Sequence, residues 1–210
     1  MNRDEVATLR ALLAPTGWPE RARVFARALR TSTKAPGGLL LVGTPEEEPW
    51  HLAAHLDDES RLSGIAELAP TLVRWNAPLN APPHLRIGLE RLEAARRGET
   101  LFVVTPENAP SPLLERVSDA RRMGATILAL NQGDRELDGL AHETLTVETL
   151  TVETLTVETL TGPPGTASPV SFTLAQHLVS AAAGERVPHP RRGVRQRLAH
   201  LLDVVSGPSA

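Results

Sequence analysis

Two histidines, His51 and His55, lie four residues apart in a segment whose apolar residues have helical spacing. Residues at positions i and i+4 share one face of a helix, so both imidazoles would project to the same side. Two imidazoles in this arrangement can bind one metal ion. The same spacing also fits two surface histidines with no ligand. The pair alone leaves both interpretations open.

The basic run at 191–197, Arg-Arg-Gly-Val-Arg-Gln-Arg, is the other charged segment that could recognise a ligand. Such a run is usually a solvated helix face, and it could also bind RNA or an acidic partner. No aromatic residues interleave with it, and the chain has no glycine-rich phosphate loop of the Rossmann or Walker type. We therefore expect no nucleic-acid partner.

Strand and helix patterns alternate along the chain, and these elements must position the histidines. The predicted strands are 39–43, 71–75, 101–104, 125–130 and 142–147. The predicted helices are 4–13, 19–32, 48–58, 85–97, 111–123, 168–183 and 191–205. Strands that alternate with helices through short connections favour a parallel sheet covered on both faces. The expected fold is α/β, a three-layer α-β-α sandwich with five parallel strands.

The composition bounds the class of protein. The chain has 210 residues, 41% hydrophobic residues, a net charge of −3 and no cysteine. This size suits one domain with a sizeable core, and the lack of cysteine excludes disulfides, thiolate metal ligands and a cysteine nucleophile. No apolar run approaches a membrane span, and residues 1–6 lack a secretory pattern. We expect a cytoplasmic protein with no membrane partner.

A tandem repeat occupies residues 143–162, where Glu-Thr-Leu-Thr-Val occurs three times and is followed by Glu-Thr-Leu-Thr-Gly. Threonine and valine favour extended structure. Because the period is odd, each copy in a straight strand would send Leu145 and Leu150 to opposite faces. The repeat is therefore expected to extend the last strand, to form a small coil, or to fold into short strands joined by turns. It is either a tolerated insertion or an element of self-association.

Five segments outside the repeat, 40–44, 51–56, 101–108, 111–115 and 124–130, resemble the sugar isomerase (SIS) domain. They are most similar to the sedoheptulose-7-phosphate (phosphoheptose) isomerase type. The resemblance covers roughly residues 4–147 and 165–184. It implies an SIS-like domain formed by residues 1–142 and 163–210, with 143–162 as a β-rich insertion.

The resemblance also implies site residues. It places His51 on a metal-binding histidine, His55 where the family has its catalytic glutamate, and His177 on a catalytic or metal-binding histidine. Metal ligands would then be His51 and His177, with Zn²⁺ as the ion, and the catalytic pair would be His55 and His177. Ligand-binding residues at the carboxyl ends of the strands would be Thr44, Thr105, Asn108 and Ser111.

The loops depart from the family pattern. Pro45, Glu107 and Pro110 stand where the family has serines, and Glu46–Glu48 follow in the first loop. At about 4 Å and an effective dielectric near 20, like charges repel by about 4 kcal/mol, so these carboxylates oppose phosphate unless an arginine or a metal intervenes. They also fit the positive end of a helix dipole.

Two interpretations follow. In the first, the protein binds a sugar phosphate or another carbohydrate derivative in a regulatory role or with lost catalysis, and the repeat mediates assembly into a dimer or tetramer. The alternative is an active metal-dependent phosphosugar isomerase. The sequence does not decide whether the chain is an enzyme.

Overall fold

The computed structural model describes residues 8, 10, 11, 13, 14, 17–76, 80, 82, 85–147 and 172–185. Helices and strands alternate along this part of the chain. In order they are α1 (Trp18–Ser32), β1 (Leu39–Val42), α2 (Trp50–Ser63), β2 (Pro70–Val73), α3 (Glu90–Glu93), β3 (Thr100–Thr105), α4 (Ser111–Arg122), β4 (Thr126–Asn131), α5 (Arg135–Leu140), β5 (Glu143–Thr146) and α6 (Phe172–Gly184).

The five strands form one sheet in the order β2-β1-β3-β4-β5, and every neighbouring pair is parallel. β1 lies between β2 and β3, with Leu40 opposite Thr71 on one side and Leu101 on the other. All four residues of β1 and all six of β3 are buried, as expected for strands covered on both faces. The predicted fold class is confirmed.

Alternate residues of each strand enter two separate cores. Leu39 and Leu41 of β1 pack in the core that also contains apolar residues of α1, α2 and α6. Leu40 and Val42 pack in the core that contains residues of α3, α4 and α5. Because successive side chains of a strand point to opposite faces, one wholly apolar strand serves both layers of the sandwich.

Two predicted elements differ from those observed. The helix expected at 85–97 is a single turn, α3, because the backbone before it is extended beside the end of β2. There the N–H of Arg74 donates to the carbonyl of Ile87, and Arg74 forms a bridge with Gly88. The short helix α5 was not predicted, although Asp134 caps it through its side chain.

Several sequence predictions lie outside the described residues. These are the helix at 191–205 with its basic run, the repeat copies after Val147, and most of the helix at 4–13. Within the described part of the chain, no helix is long and apolar enough to cross a membrane.

Candidate functional site

The strand order places the candidate site at the carboxyl edge of the sheet. The chain runs from β1 to the edge strand β2 and returns on the other side of β1 at β3. The loops after β1 and β3 therefore diverge, and such a switch point is where open α/β sheets bind ligands. Thr44 follows β1 and Thr105 ends β3, so two predicted ligand residues belong to adjacent strands at this edge.

The loop after β1 is a tight turn closed by Thr44. The Thr44 hydroxyl accepts a hydrogen bond from the backbone N–H of Glu47 at 3.1 Å, and the Thr44 N–H donates to the Glu47 carbonyl at 3.2 Å. A Cβ on Gly43 would lie 2.2 Å from that carbonyl oxygen. The turn therefore requires glycine at position 43, and Thr44 is buried as part of it.

Glu48 has a structural partner, Arg74, at the end of β2. One carboxylate oxygen of Glu48 lies 3.0 Å from Nε of Arg74, and the other accepts from the backbone N–H of Trp75 at 3.1 Å. None of Glu46–Glu48 lies in the first turn of α2, so the helix-dipole explanation is wrong for them. Glu48 instead joins the β1 and β2 loops, while Glu46 and Glu47 are exposed.

A cavity of about 440 Å³ opens beside this ion pair. Arg74 stacks its guanidinium 4.4 Å from the ring centre of Trp50, and the indole remains 40% exposed. The cavity thus combines an aromatic surface with carboxylate, imidazole and amide groups. Its lining residues are Pro45, Glu46, Glu47, Glu48, Trp50, His51, Arg74 and Asn76.

Thr105 differs from Thr44 in its hydrogen bonding. Its side chain is fully buried, and within the described residues its hydroxyl has no hydrogen-bond partner. A buried hydroxyl without a partner costs about 1–3 kcal/mol. Asn108 lies on the loop after β3, Ser111 is the first residue of α4, and both are exposed.

Asp134 holds the loop after β3 in place, a role that the sequence analysis missed. One of its carboxylate oxygens accepts from the backbone N–H of Ala109 at 2.7 Å. The other accepts from the N–H groups of Glu136 and Leu137 at the start of α5. The buried carboxylate therefore links the β3 loop to the β4 loop. The sequence signal for the helix start was Asp134, a residue type that caps helices, directly after Gly133 and three residues before Leu137.

The packing of α2 against α6 brings two predicted catalytic residues together. The rings of His55 and His177 are edge to face, with centroids 4.5 Å apart. His51 lies one turn earlier on α2, where it is exposed at the cavity. Helix α6 therefore packs against the face of α2 that carries His55.

Both contacting histidines have a pKa below the ordinary value of 6.5. Burial lowers the pKa of His55 most, and the nearby His51 lowers it further, against an opposing effect of Asp58. Burial also lowers the pKa of His177, and the charges of His55 and His51 add to this effect. The two imidazoles are therefore predominantly neutral at pH 7, so each can accept a proton or a metal ion.

The donor set does not make a complete zinc site. Structural and catalytic zinc sites use at least three protein ligands. Across the described ranges, no group of three or more His, Asp or Glu side chains is arranged to hold a metal ion. Binding by His51 and His177 remains a prediction.

No protein-family model matches the sequence, and no curated protein matches it significantly. Among solved structures, the chain is similar to the sugar isomerase domain of the RpiR transcription factor from Sphaerobacter thermophilus. That match has a TM-score of 0.51 and 16% identity over 87% of each chain. It is also similar to a predicted phosphosugar isomerase from Silicibacter pomeroyi DSS-3, with a TM-score of 0.48 and 18% identity. That match covers 94% of this chain and about half (52%) of the other. The chain therefore has a five-stranded parallel α/β fold, consistent with the SIS fold of the Sphaerobacter domain.

Proposed function

We propose that this chain is a divergent SIS-domain protein that binds a sugar phosphate or another carbohydrate derivative at the carboxyl edge of its sheet. The supporting observation is the fully buried hydroxyl of Thr105 at the switch point, which has no hydrogen-bond partner among the residues that the structure describes. A ligand hydroxyl or phosphate oxygen would satisfy it on binding, once the groups that cover the Thr105 hydroxyl move aside. Thr44, Asn108 and Ser111 complete the proposed site.

The charged side chains near the end of β1 favour binding of the uncharged sugar part of such a ligand over binding of its phosphate. Arg74 is already paired with Glu48, so its charge is not free to bind an anion. The exposed Glu46 and Glu47 repel phosphate, with an effect reduced by solvent. The partly exposed indole of Trp50 offers an apolar surface for a sugar ring.

The role that best fits these charges is regulatory, with catalysis lost. The similar Sphaerobacter domain belongs to a transcription factor, which supports a binding role without turnover. The resemblance places His55 where the sedoheptulose-7-phosphate type has a glutamate, and this change removes a carboxylate base. Assignment to that type is part of the proposal.

The histidine pair supports a second candidate, a metal-dependent phosphosugar isomerase. An aldose–ketose isomerisation needs a base poised near neutrality, and the neutral imidazole of His55 can accept the proton. His51 and His177 would hold the metal ion, proposed to be Zn²⁺.

Thermal-shift measurements with matched pairs of sugars and sugar phosphates, with and without Zn²⁺, test these proposals. We expect at least one carbohydrate to raise the melting temperature of the wild type and to lose this effect in Thr105→Val. Stabilisation by sugar phosphates only with Zn²⁺, lost in His177→Ala, would favour the isomerase. No stabilisation by any compound would contradict both candidates.

We further propose that the repeat mediates self-association into a dimer or tetramer. A short insertion cannot bury a core by itself, so the later copies would need a second surface. Deleting residues 148–157 should lower the number of chains per particle, calculated from the molar mass measured by light scattering. The circular dichroism spectrum should be preserved. A folded deletion variant with the same number of chains per particle as the wild type would contradict this role.

A further inference from the structure

Strand β5 is the first copy of the pentapeptide repeat. Its residues pair with β4 in a fixed register, with Leu130 opposite Leu145. Leu145 and Val147 are each 1% exposed and belong to the core under α1, α2 and α6. One pentapeptide therefore supplies a whole edge strand of the sheet.

The contacts of this strand do not depend on which copy provides it. Residues 148–152 and 153–157 have the same five residue types in the same order. The described hydrogen bonds of Thr146 and Val147 use backbone groups, the Thr146 carbonyl toward Arg21 and the Val147 N–H toward Asn131. A shift of the strand by five residues relative to β4 would place the same residue type at every position of the strand. A shift by one residue would instead exchange the two faces of the strand.

One described contact distinguishes the first copy. The backbone N–H of His142 donates to the Ile127 carbonyl at 2.8 Å, and its Nδ1 accepts from the Ile127 N–H at 2.9 Å. The later copies are preceded by Val147 and Val152, which keep the backbone donor and lack the ring acceptor. His142 therefore favours the first copy.

The connections permit the slip. The first copy is followed by 24 residues (148–171) before α6, and the third copy by 14 residues (158–171). Fourteen residues reach about 45–50 Å, well beyond the length of a strand, roughly 20 Å. The entropic cost of lengthening the loop before β5 grows slowly with its length.

We propose that the edge of β4 accepts any of the first three copies as its fifth strand, giving register isomers in which the first copy is favoured. This inference goes beyond the proposed function. Because β5 is parallel to the other strands, each slip moves one pentapeptide from the carboxyl edge, where the candidate site lies, to the opposite edge. The fourth copy ends in Gly162 and cannot replace the buried Val147.

A set of leucine-to-aspartate variants tests the exchange by thermal unfolding. We expect Leu145→Asp to stay folded with a melting temperature a few degrees lower, because the second copy replaces the first. The control is the double variant Leu150→Asp with Leu155→Asp, and its melting temperature should equal that of the wild type. The triple variant with all three changes should lose its cooperative transition. The proposal would be overturned if the single variant Leu145→Asp does not fold. It would also be overturned if the triple variant folds.

Engineered disulfides identify the copy in place, because the chain has no cysteine of its own. Ala129 lies opposite Thr144, and neighbouring strands are close enough for a disulfide. We expect Ala129→Cys with Thr144→Cys to form an intrachain bond in the otherwise wild-type chain. With Leu145→Asp added, Ala129→Cys should cross-link within the chain to Thr149→Cys. A failure of that cross-link, or a bond between two chains, would overturn the slip within one chain.

Discussion

Thr100 and Thr105 lie at opposite ends of β3 and are both fully buried, yet their hydroxyls differ. The Thr100 hydroxyl accepts from that of Thr33 at 2.8 Å and donates to that of Ser32 at 3.0 Å. The Thr105 hydroxyl has no partner within the described residues. Buried polar groups in folded proteins usually have a hydrogen-bond partner, and this difference at Thr105 is the observation on which the proposed ligand site rests.

Replacement of each threonine by valine should change stability in opposite directions. Thr105→Val removes an unsatisfied hydroxyl, so we expect the free energy of unfolding to rise by about 1 kcal/mol without ligand. The control Thr100→Val breaks two hydrogen bonds and should lower it by about 1–2 kcal/mol. Urea unfolding measures both. Equal losses in the two variants would show that the Thr105 hydroxyl has a partner in the free protein.

The neutral histidine pair predicts a loss of stability in acid. The folded pKa values of His55 and His177 lie below 6.5, so protonation favours the unfolded chain. Their contribution is fully present above about pH 6.5 and is lost as the pH falls through the folded-state pKa values. Urea midpoints measured between about pH 8 and pH 5 should fall less in the double variant His55→Gln with His177→Gln. Identical profiles for the wild type and the double variant would contradict the shifted pKa values.

At the scale of elements, the contact between α2 and α6 depends on a glycine. A Cβ on Gly184 would lie 1.7 Å from a carboxylate oxygen of Glu59 and 2.9 Å from the Glu59 Cβ. At the same end of α6, the Arg30 guanidinium donates to the carbonyls of Ala182 (2.8 Å), Ala183 (3.2 Å) and Glu185 (3.0 Å). The close approach of Gly184 to Glu59 places α6, which carries His177, against α2, which carries His55. The Arg30 hydrogen bonds tie the same end of α6 to α1.

Gly184→Ala should destabilise the protein although alanine favours helix. We expect a loss of about 1–3 kcal/mol from overpacking, partly recovered when Glu59→Ala is added. The control Gly139→Ala lies in α5 with nothing within 4 Å of the added Cβ, so it should gain up to about 1 kcal/mol. Unfolding by urea measures all three variants. If Gly184→Ala is as stable as Gly139→Ala, the two helices are not in close contact.

In the molecule as a whole, one sheet separates two cores, and α6, the last helix of the described residues, completes one of them. α6 contributes Phe172, Leu178 and Val179 to the core with α1 and α2. Burial of each such side chain contributes about 1.5–3 kcal/mol. Their sum approaches the total stability of a typical domain, about 5–15 kcal/mol.

Two deletions of similar length should therefore have unequal effects. Removal of residues 172–185 should abolish cooperative thermal unfolding and increase binding of a hydrophobic dye, because an apolar face of α1 and α2 becomes exposed. Removal of residues 148–157 should leave one cooperative transition, because the first copy still provides β5. Scanning calorimetry distinguishes these results. A cooperative transition without 172–185 would show that α6 is dispensable for the fold.

The order and type of most elements, and the class of fold, could be predicted from the amino-acid sequence. Wholly apolar strands such as Leu39–Val42 and the helical spacing in α1 and α4 are local patterns, and local alternation of strand and helix permits few topologies. The sequence also predicted that the first repeat copy enters the fifth strand. Helix α5 escaped prediction because six residues are too few for a clear period.

The contacts between distant side chains could not be predicted in this way, because they depend on how the elements pack. Arg74 and Glu48 are 26 residues apart, Ala109 and Asp134 are 25 apart, and His55 and His177 belong to distant helices. Their contacts depend on strand order and helix packing, and neither is encoded in the spacing of neighbouring residues. The acidic β1 loop shows the difference most directly. Its residue types indicated only charge, whereas the position of β2 supplied the arginine that neutralises Glu48.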